Sequence, residues 1–363
     1  MVTLFWPYVS DRVLEGLAEV LRSRWIGQGP RVDALEKKFS DLTQSPHAVA
    51  LNSCTSALHL SLILSGVGEG DEVITTPLTC SATNIPILYR RAKAVFADIK
   101  EETLNIDPES IASKITKRTK AMMAVHWGGE PCDLTEIRRI AQKHHLFVIE
   151  DAAHAIGASY QGKPIGSISD FTCFSFQAIK QITSGDGGML NLLDAKHAER
   201  AKLLRWFGLD RNCKGDIYEK HHVTELGYKY HMNDIMATMV SIQLEDLVKV
   251  NERRRDIANR YRTELAKVPG LRLLKRKMDR ESAHWLFTIL VKDRESFMKK
   301  LASEEIETSL VHIRCDVIPL FGGIRQVLPI MDHLEKEYVN IPLHNHLTDE
   351  EVDHVIRVIQ RGW

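Results

Sequence analysis

Between residues 48 and 150 the chain alternates short apolar runs with helix-length segments, joined by brief polar links. The runs at 48–51, 72–75, 94–98, 121–126 and 147–150 are apolar almost throughout. A strand with one wet face alternates apolar and polar residues, whereas a near-continuous apolar strand is buried on both faces. The first half is therefore expected to form an α/β fold: a mostly parallel central sheet flanked by helices. Such sheets bind ligands beyond the carboxyl ends of their strands, so chemistry is expected in the residues that follow each run.

Two amphipathic helices precede this alternation. Residues 11–24 set Val13, Leu14, Leu17, Val20 and Leu21 at helical spacing, with Asp11 available as a cap, and 31–42 repeat the period. Between them, W-I-G-Q-G-P (25–30) is a turn in which Trp25 serves either packing or a site. Gly66-Val-Gly-Glu-Gly is not a dinucleotide loop, because it follows a helix and lacks the G-x-G-x-x-G spacing. Past residue 190 come a charged helix (195–206), a polar loop (212–220), a helix (235–247) and a long charged helix (250–268) that reads as a hinge. Strands at 271–274 and 285–291, a helix at 294–304 and a terminal helix at 349–362 suggest a smaller α+β C-terminal domain. The expected division is 1–248 and 249–363.

Lys plus Arg and Asp plus Glu number 48 each. No charge excess directs the chain to nucleic acid or an anionic membrane, and zero net charge tolerates self-association. No apolar stretch approaches a membrane span, and M-V-T-L-F-W-P at the start has no signal-peptide character. Six scattered cysteines without a C-x-x-C pair argue against a disulfide framework and a zinc knuckle, and for a reducing cytoplasm. His144-His145, His221-His222, His344 and His346 lie outside any H-E-x-x-H context, and no metal is expected.

The stretch 146–190 concentrates the chemistry. One apolar run ends L-F-V-I-E-D at Asp151. Another, F-T-C-F-S-F, leads to Lys180 and the turn G-D-G-G at 185–188. A free lysine titrates near about 10.4, but one desolvated at the end of a buried strand becomes a nucleophile toward carbonyls. A carboxylate at the neighbouring strand end can keep a heterocyclic nitrogen protonated. N-S-C-T-S at 52–56 sits between a strand and the helix 57–64. Its free backbone N–H groups and the helix dipole would face an anion, with Thr55 and Ser56 beside it. Singly these are an exposed lysine, a capping acid and a plain N-cap. Jointly they match the aldehyde, ring nitrogen and phosphate of pyridoxal 5'-phosphate.

Six motifs then occur in order: N-S-C-T-S-A-L (52–58), G-D-E-V-I (70–74), V-I-E-D-A-A-H-A (148–155), F-S-F-Q-A-I-K (174–180), G-D-G-G (185–188) and E-L-G-Y-K-Y-H-M-N-D (225–234). With them the sequence resembles the DegT/DnrJ/EryC1/StrS family of pyridoxal phosphate-dependent sugar aminotransferases, enzymes of fold type I. The resemblance implies that Lys180 forms the Schiff base with the cofactor and shuttles protons. It implies that Asp151 holds the pyridinium, that His154 lies beside the ring and its 3-hydroxyl, and that Thr55, Ser56 and Ser175 bind the phosphate. It also implies pyridoxamine 5'-phosphate as the alternate cofactor form, an amino-acid donor such as L-glutamate, and a nucleotide-linked keto sugar as acceptor. The product would serve amino-sugar, polysaccharide or glycoside biosynthesis. The enzyme would be a homodimer in which each partner completes the other's site. His312 and Arg314 fall where the small domain closes over substrate. Arg314 there would bind a carboxylate or pyrophosphate, or else remain an exposed arginine.

Two positions depart from the family. Where an Asn often reaches the neighbour's phosphate, this chain has Lys229, which would meet the phosphate from the partner subunit as a point charge, or contact the sugar nucleotide. Where an aromatic often covers the cofactor ring, it has Cys80, with Trp127 the candidate to cover that face instead. A related branch carries histidine in place of the lysine and removes a sugar hydroxyl. Lys180 therefore favours transamination over a sugar dehydratase, and the intact lysine–aspartate pair favours an enzyme over a regulatory homologue.

Overall fold

In the computed structural model, which describes residues 1–363, seven strands form the central sheet. Their order is His47–Leu51, Gly188–Leu192, Phe171–Ser175, Phe147–Asp151, Thr119–Val125, Glu72–Thr75 and Lys93–Phe96. Neighbours run parallel, except that Gly188–Leu192 is antiparallel to both strands beside it.

Burial on both faces explains why these strands read as unbroken apolar runs. Val49, Leu51, Ala121 and Met123 enter one core, while Ala48, Ala50, Met122 and Ala124 enter the other. Helices Pro30–Thr43, Leu134–His144 and Asp234–Gln243 cover one face; Cys54–Leu64 and Ala195–Leu204 cover the other. Cys54–Leu64 is buried on all sides except at Thr55. Such a helix shows no apolar stripe, and its one less buried residue faces the site described below.

Helix Leu247–Leu265 carries Ile257, Tyr261 and Leu265 into a third core. There they meet the antiparallel strands Phe287–Val291 and Tyr338–Ile341 and the terminal helix Asp349–Gln360. Two segments cross the expected boundary at 248/249. Val2 packs in the C-terminal core, its N–H donating to the Glu305 carbonyl at 2.7 Å. Arg280–Glu281 pairs with Ser159–Tyr160. A seam cluster including Leu78, Phe96, Trp127, Trp285 and Tyr338 packs the two units together.

Several expectations change. Asp11 makes no side-chain cap, since its own backbone is already helical at φ −57°. The polar loop at 212–220 contains a short helix, Ile217–Lys220, closed by a reciprocal capping box of Asp216 and Glu219. Phe171–Ser175 ends well before Lys180, so the lysine sits in the following turn rather than at the strand end. Gly188–Leu192 and Tyr338–Ile341 escape the periodicity reading because each contains an Asn. Both amide nitrogens find internal partners: Asn191 Nδ2 donates to Thr43 Oγ1 at 2.7 Å, and Asn340 Nδ2 to the Leu310 carbonyl at 3.0 Å.

Candidate active site

Beyond the carboxyl ends of the parallel strands lies a cavity of about 310 Å³, lined by Thr55, Cys80, Asp151, His154, Ser175 and Lys180 among others. Asp151 is the last residue of a central strand, which aims its carboxylate at the cavity floor. Oδ2 accepts the Thr83 hydroxyl at 2.7 Å, and Oδ1 accepts the Ala153 N–H at 3.1 Å. Burial pushes this carboxyl up from its ordinary value, while the two hydrogen bonds and the nearby Lys180 pull it back. On the neighbouring residue, Glu150 pairs with His126 at 2.8 Å, both fully buried. The Cys132 N–H occupies His126 Nδ1 at 3.1 Å, so Nε2 carries the proton and donates to Glu150. The second acid is thus held by its own partner, away from Asp151.

Lys180 is buried, and desolvation lowers its ammonium from 10.5 to about 8. Its Nζ lies 3.5 Å from the centroid of the Trp285 ring. His154 stacks on the same indole, with centroids 3.8 Å apart. Burial, with Lys180 close by, holds the His154 ring well below its ordinary value, so it is neutral. Its Nδ1 is buried without a hydrogen-bond partner.

The third part of the site is the start of helix Cys54–Leu64. Ser53 caps it, accepting the Ser56 N–H at 3.1 Å. The first N–H groups of such a helix have no intrahelical partner and point at an anion. Gly188 presses against this turn: a Cβ there would lie 2.3 Å from the Ser53 carbonyl carbon and 2.5 Å from the Cys54 nitrogen. Ser175 and Gly187 line the same part of the cavity.

These residues fit pyridoxal phosphate. A buried carboxylate suits a ring nitrogen, an activated amine suits the aldehyde, and a helix N-terminus backed by glycine suits the phosphate. The orphaned His154 Nδ1 is a polar atom awaiting a partner.

Other sequence-predicted residues fall differently. Ser56 does not line the cavity; its hydroxyl donates to Asn52 Oδ1 at 2.7 Å, and Ser53 and Cys54 stand beside Thr55 instead. Cys80 lines the cavity just ahead of helix Ser81–Tyr89. Trp127 does not: it is buried behind the wall, its indole N–H donating to Thr288 Oγ1 at 3.0 Å. His312 does line it, its Nε2 without a partner and its ring parallel to that of His154 at 5.7 Å. Lys229 lies outside this chain's cavity, its Nζ 5.3 Å from the rings of Trp206 and Phe207. Arg314 is corrected outright. It is neither exposed nor turned to substrate: its guanidinium forks onto Asp316 at 2.7 and 2.6 Å, and also bonds Asp332.

Sequence reasoning missed Trp285, Thr83 and Ser53. Thr83 was within reach, because it lies on the first turn of helix Ser81–Tyr89, which starts beside the cavity at Cys80; its hydroxyl meets that of Thr79, just ahead of the helix, at 2.8 Å. Trp285 had no local signal. It arrives from the far half of the chain, just before strand Phe287–Val291.

Residues 7–360 match the DegT/DnrJ/EryC1/StrS aminotransferase family. SpsC of Bacillus subtilis, a spore coat polysaccharide biosynthesis protein, is 38% identical, the match covering 98% of this chain and 95% of SpsC. The sugar aminotransferase CalS13 of Micromonospora echinospora superposes with a TM-score of 0.96 at 34% identity, covering all of both chains. The PMP form of Spr1654 from Streptococcus pneumoniae superposes with a TM-score of 0.93 at 28% identity, covering 99% of this chain and 98% of Spr1654. With the lysine, the aspartate and the helix N-terminus gathered on one cavity of this shared fold, the chain belongs to the DegT/DnrJ/EryC1/StrS family and is a pyridoxal phosphate-dependent sugar aminotransferase.

Proposed function

We propose that the enzyme moves an amino group from L-glutamate to the carbonyl carbon of a nucleotide-linked keto sugar, for polysaccharide or glycoside assembly. One observation carries this reading: the Lys180 amine and the Asp151 carboxylate, both buried, share a single cavity with the start of helix Cys54–Leu64. The bound cofactor supplies an electron sink for the carbon that gains or loses a proton. The protein does the rest. Asp151, held by Thr83 and the Ala153 N–H, keeps the ring nitrogen charged. Thr55, Ser175 and the helix N-terminus anchor the phosphate. Lys180, lowered to about 8, has a neutral fraction near physiological pH and serves as the proton carrier at the reacting carbon. His154 stays neutral beside it.

The relative SpsC supports a product destined for polysaccharide. The working form in this reading is a cytoplasmic homodimer, in keeping with six unpaired cysteines. Lys229 would act in the partner's site. Its amine lies beside Phe207 in a segment where Phe207 and Leu226 are exposed, an apolar surface suited to a second copy of the chain.

The test loads the enzyme as its pyridoxamine form and mixes it with UDP- and dTDP-linked keto sugars. Return of the cofactor to the pyridoxal form, with appearance of an amino sugar by mass spectrometry, is expected. A sugar that loses water while the amine stays on the cofactor would identify a dehydratase instead.

A further inference from the structure

We infer that Trp285 is the positioning residue of Lys180: one indole holds both the ammonium of the lysine and the backbone that carries it. The inference rests on the reading of Lys180 as the cofactor-bearing amine. Nζ lies 3.5 Å from the ring centroid. The indole N–H donates to the carbonyl of Ile179, the residue before Lys180, at 3.0 Å. The lysine is therefore fixed at its head and at its root by a side chain from the other half of the sequence.

The indole is itself fixed. It is 1% exposed and stacks on His154 at 3.8 Å and on Phe5 at 5.3 Å. Its backbone N–H donates to the Gly128 carbonyl at 2.8 Å. Gly129 lets the loops of this junction close: a Cβ there would sit 2.8 Å from the His154 carbonyl. Gln181, the residue after Lys180, donates to that same carbonyl at 3.2 Å and to the carbonyl of Ala283, two residues before Trp285, at 3.4 Å. Residues 179–181 are thus tied to the loop bearing Trp285 on either side of the lysine.

The consequence is electrostatic. Burial disfavours the ammonium, whereas the negative face of an indole favours it, and more so in a desolvated site. The groups facing Lys180 are the Asp151 carboxylate, the Cys54 and Cys80 thiols, and the His154 and His312 rings. Asp151 attracts the ammonium, the thiols are weak acids, and both rings are held in the neutral range by burial. Trp285 is the other stabiliser of the charged lysine. It keeps the free amine parked against the cavity whenever the lysine is not bonded to cofactor.

The experiment follows capture of pyridoxal phosphate by the cofactor-free enzyme. The lysine amine and the aldehyde condense with release of one water, and the visible band of the linkage reports the rate. Rates are measured across pH for the wild type, Trp285→Phe and Trp285→Leu. The leucine variant is expected to lower the pH midpoint of capture by about one unit. Phenylalanine keeps a ring but loses the N–H, so its midpoint stays close to wild type while capture slows severalfold. Indole fluorescence gives a second readout that needs only the conservative variant: cofactor capture should quench wild type markedly more than Trp285→Phe. An unchanged midpoint in Trp285→Leu, or equal quenching in wild type and Trp285→Phe, overturns the inference. Wild type that captures no cofactor at Lys180 overturns the functional reading beneath it.

Discussion

Thr83 donates its hydroxyl proton to Asp151 at 2.7 Å, and because that proton is committed, Thr79 must be the donor in its 2.8 Å contact with Thr83. The relay steadies a carboxylate that burial pushes toward its neutral form. Thr83→Val keeps the shape and removes the donor. A hydrogen bond to a charged group contributes about 1.5–3 kcal/mol, so cofactor affinity should fall by at least about tenfold, with Thr83→Ser close to wild type. Equilibrium titration of the visible cofactor band measures this.

Gly188 tests the anion cradle separately from the ring nitrogen. An added Cβ would meet the backbone of Ser53 and Cys54 at 2.3 and 2.5 Å, and backbone cannot swing aside. Gly188→Ala should displace the start of helix Cys54–Leu64 and cause loss of cofactor on dialysis. The protein should still fold, because the clash sits at the end of the strand rather than inside the sheet.

Arg314 should behave as a structural residue. Its guanidinium is fully buried between Asp316 and Asp332. Removing one partner of a buried ion pair costs about 3–5 kcal/mol. Arg314→Ala should lose stability of that order in urea denaturation, and Arg314→Lys should not restore it, because an ammonium cannot fork onto Asp316. A variant of unchanged stability with a raised KM for donor or acceptor would return Arg314 to the substrate-binding set.

The contrast between Arg314 and Lys180 shows what was legible in the sequence. Asp151, His154, Ser175 and Lys180 lie close together in the chain and follow apolar runs, so topology alone sends them to the same edge of the sheet. The central sheet was legible for the same reason, since burial on both faces leaves a composition that no half-exposed strand shares. Trp285 and the Arg314 partners were not. Trp285 meets Ile179 more than a hundred residues away, a contact set by how the C-terminal unit docks, whereas Asp316 and Asp332 are near Arg314 in the chain but lie in irregular or short-helix segments with no periodic mark. Ser56 is a smaller case: on a helix buried nearly all round, spacing could not say whether both adjacent hydroxyls face the cavity.

Lys180 also makes a prediction about stability. Its folded value of about 8 lies below the ordinary 10.5, so between these pH values the unfolded chain holds a proton that the folded chain lacks. Stability of the cofactor-free enzyme from this group therefore rises with pH across that window. Below it, the buried ammonium opposes folding. Lys180→Met should be more stable than wild type at pH 7 by about 3 kcal/mol, the net of burial and the attraction to Asp151. The difference should shrink toward zero near pH 10, as read by urea denaturation at both pH values.

The central claim is that one amine, Lys180, both holds the cofactor and carries the proton. Lys180→Ala loaded with pyridoxamine phosphate and mixed with a keto-sugar nucleotide that wild type aminates tests it directly. The account predicts no visible lysine–cofactor band when pyridoxal phosphate is added, and a pyridoxamine form that persists with no amino sugar released. A Lys180→Ala protein that returned its cofactor to the pyridoxal form at the wild-type rate would contradict it.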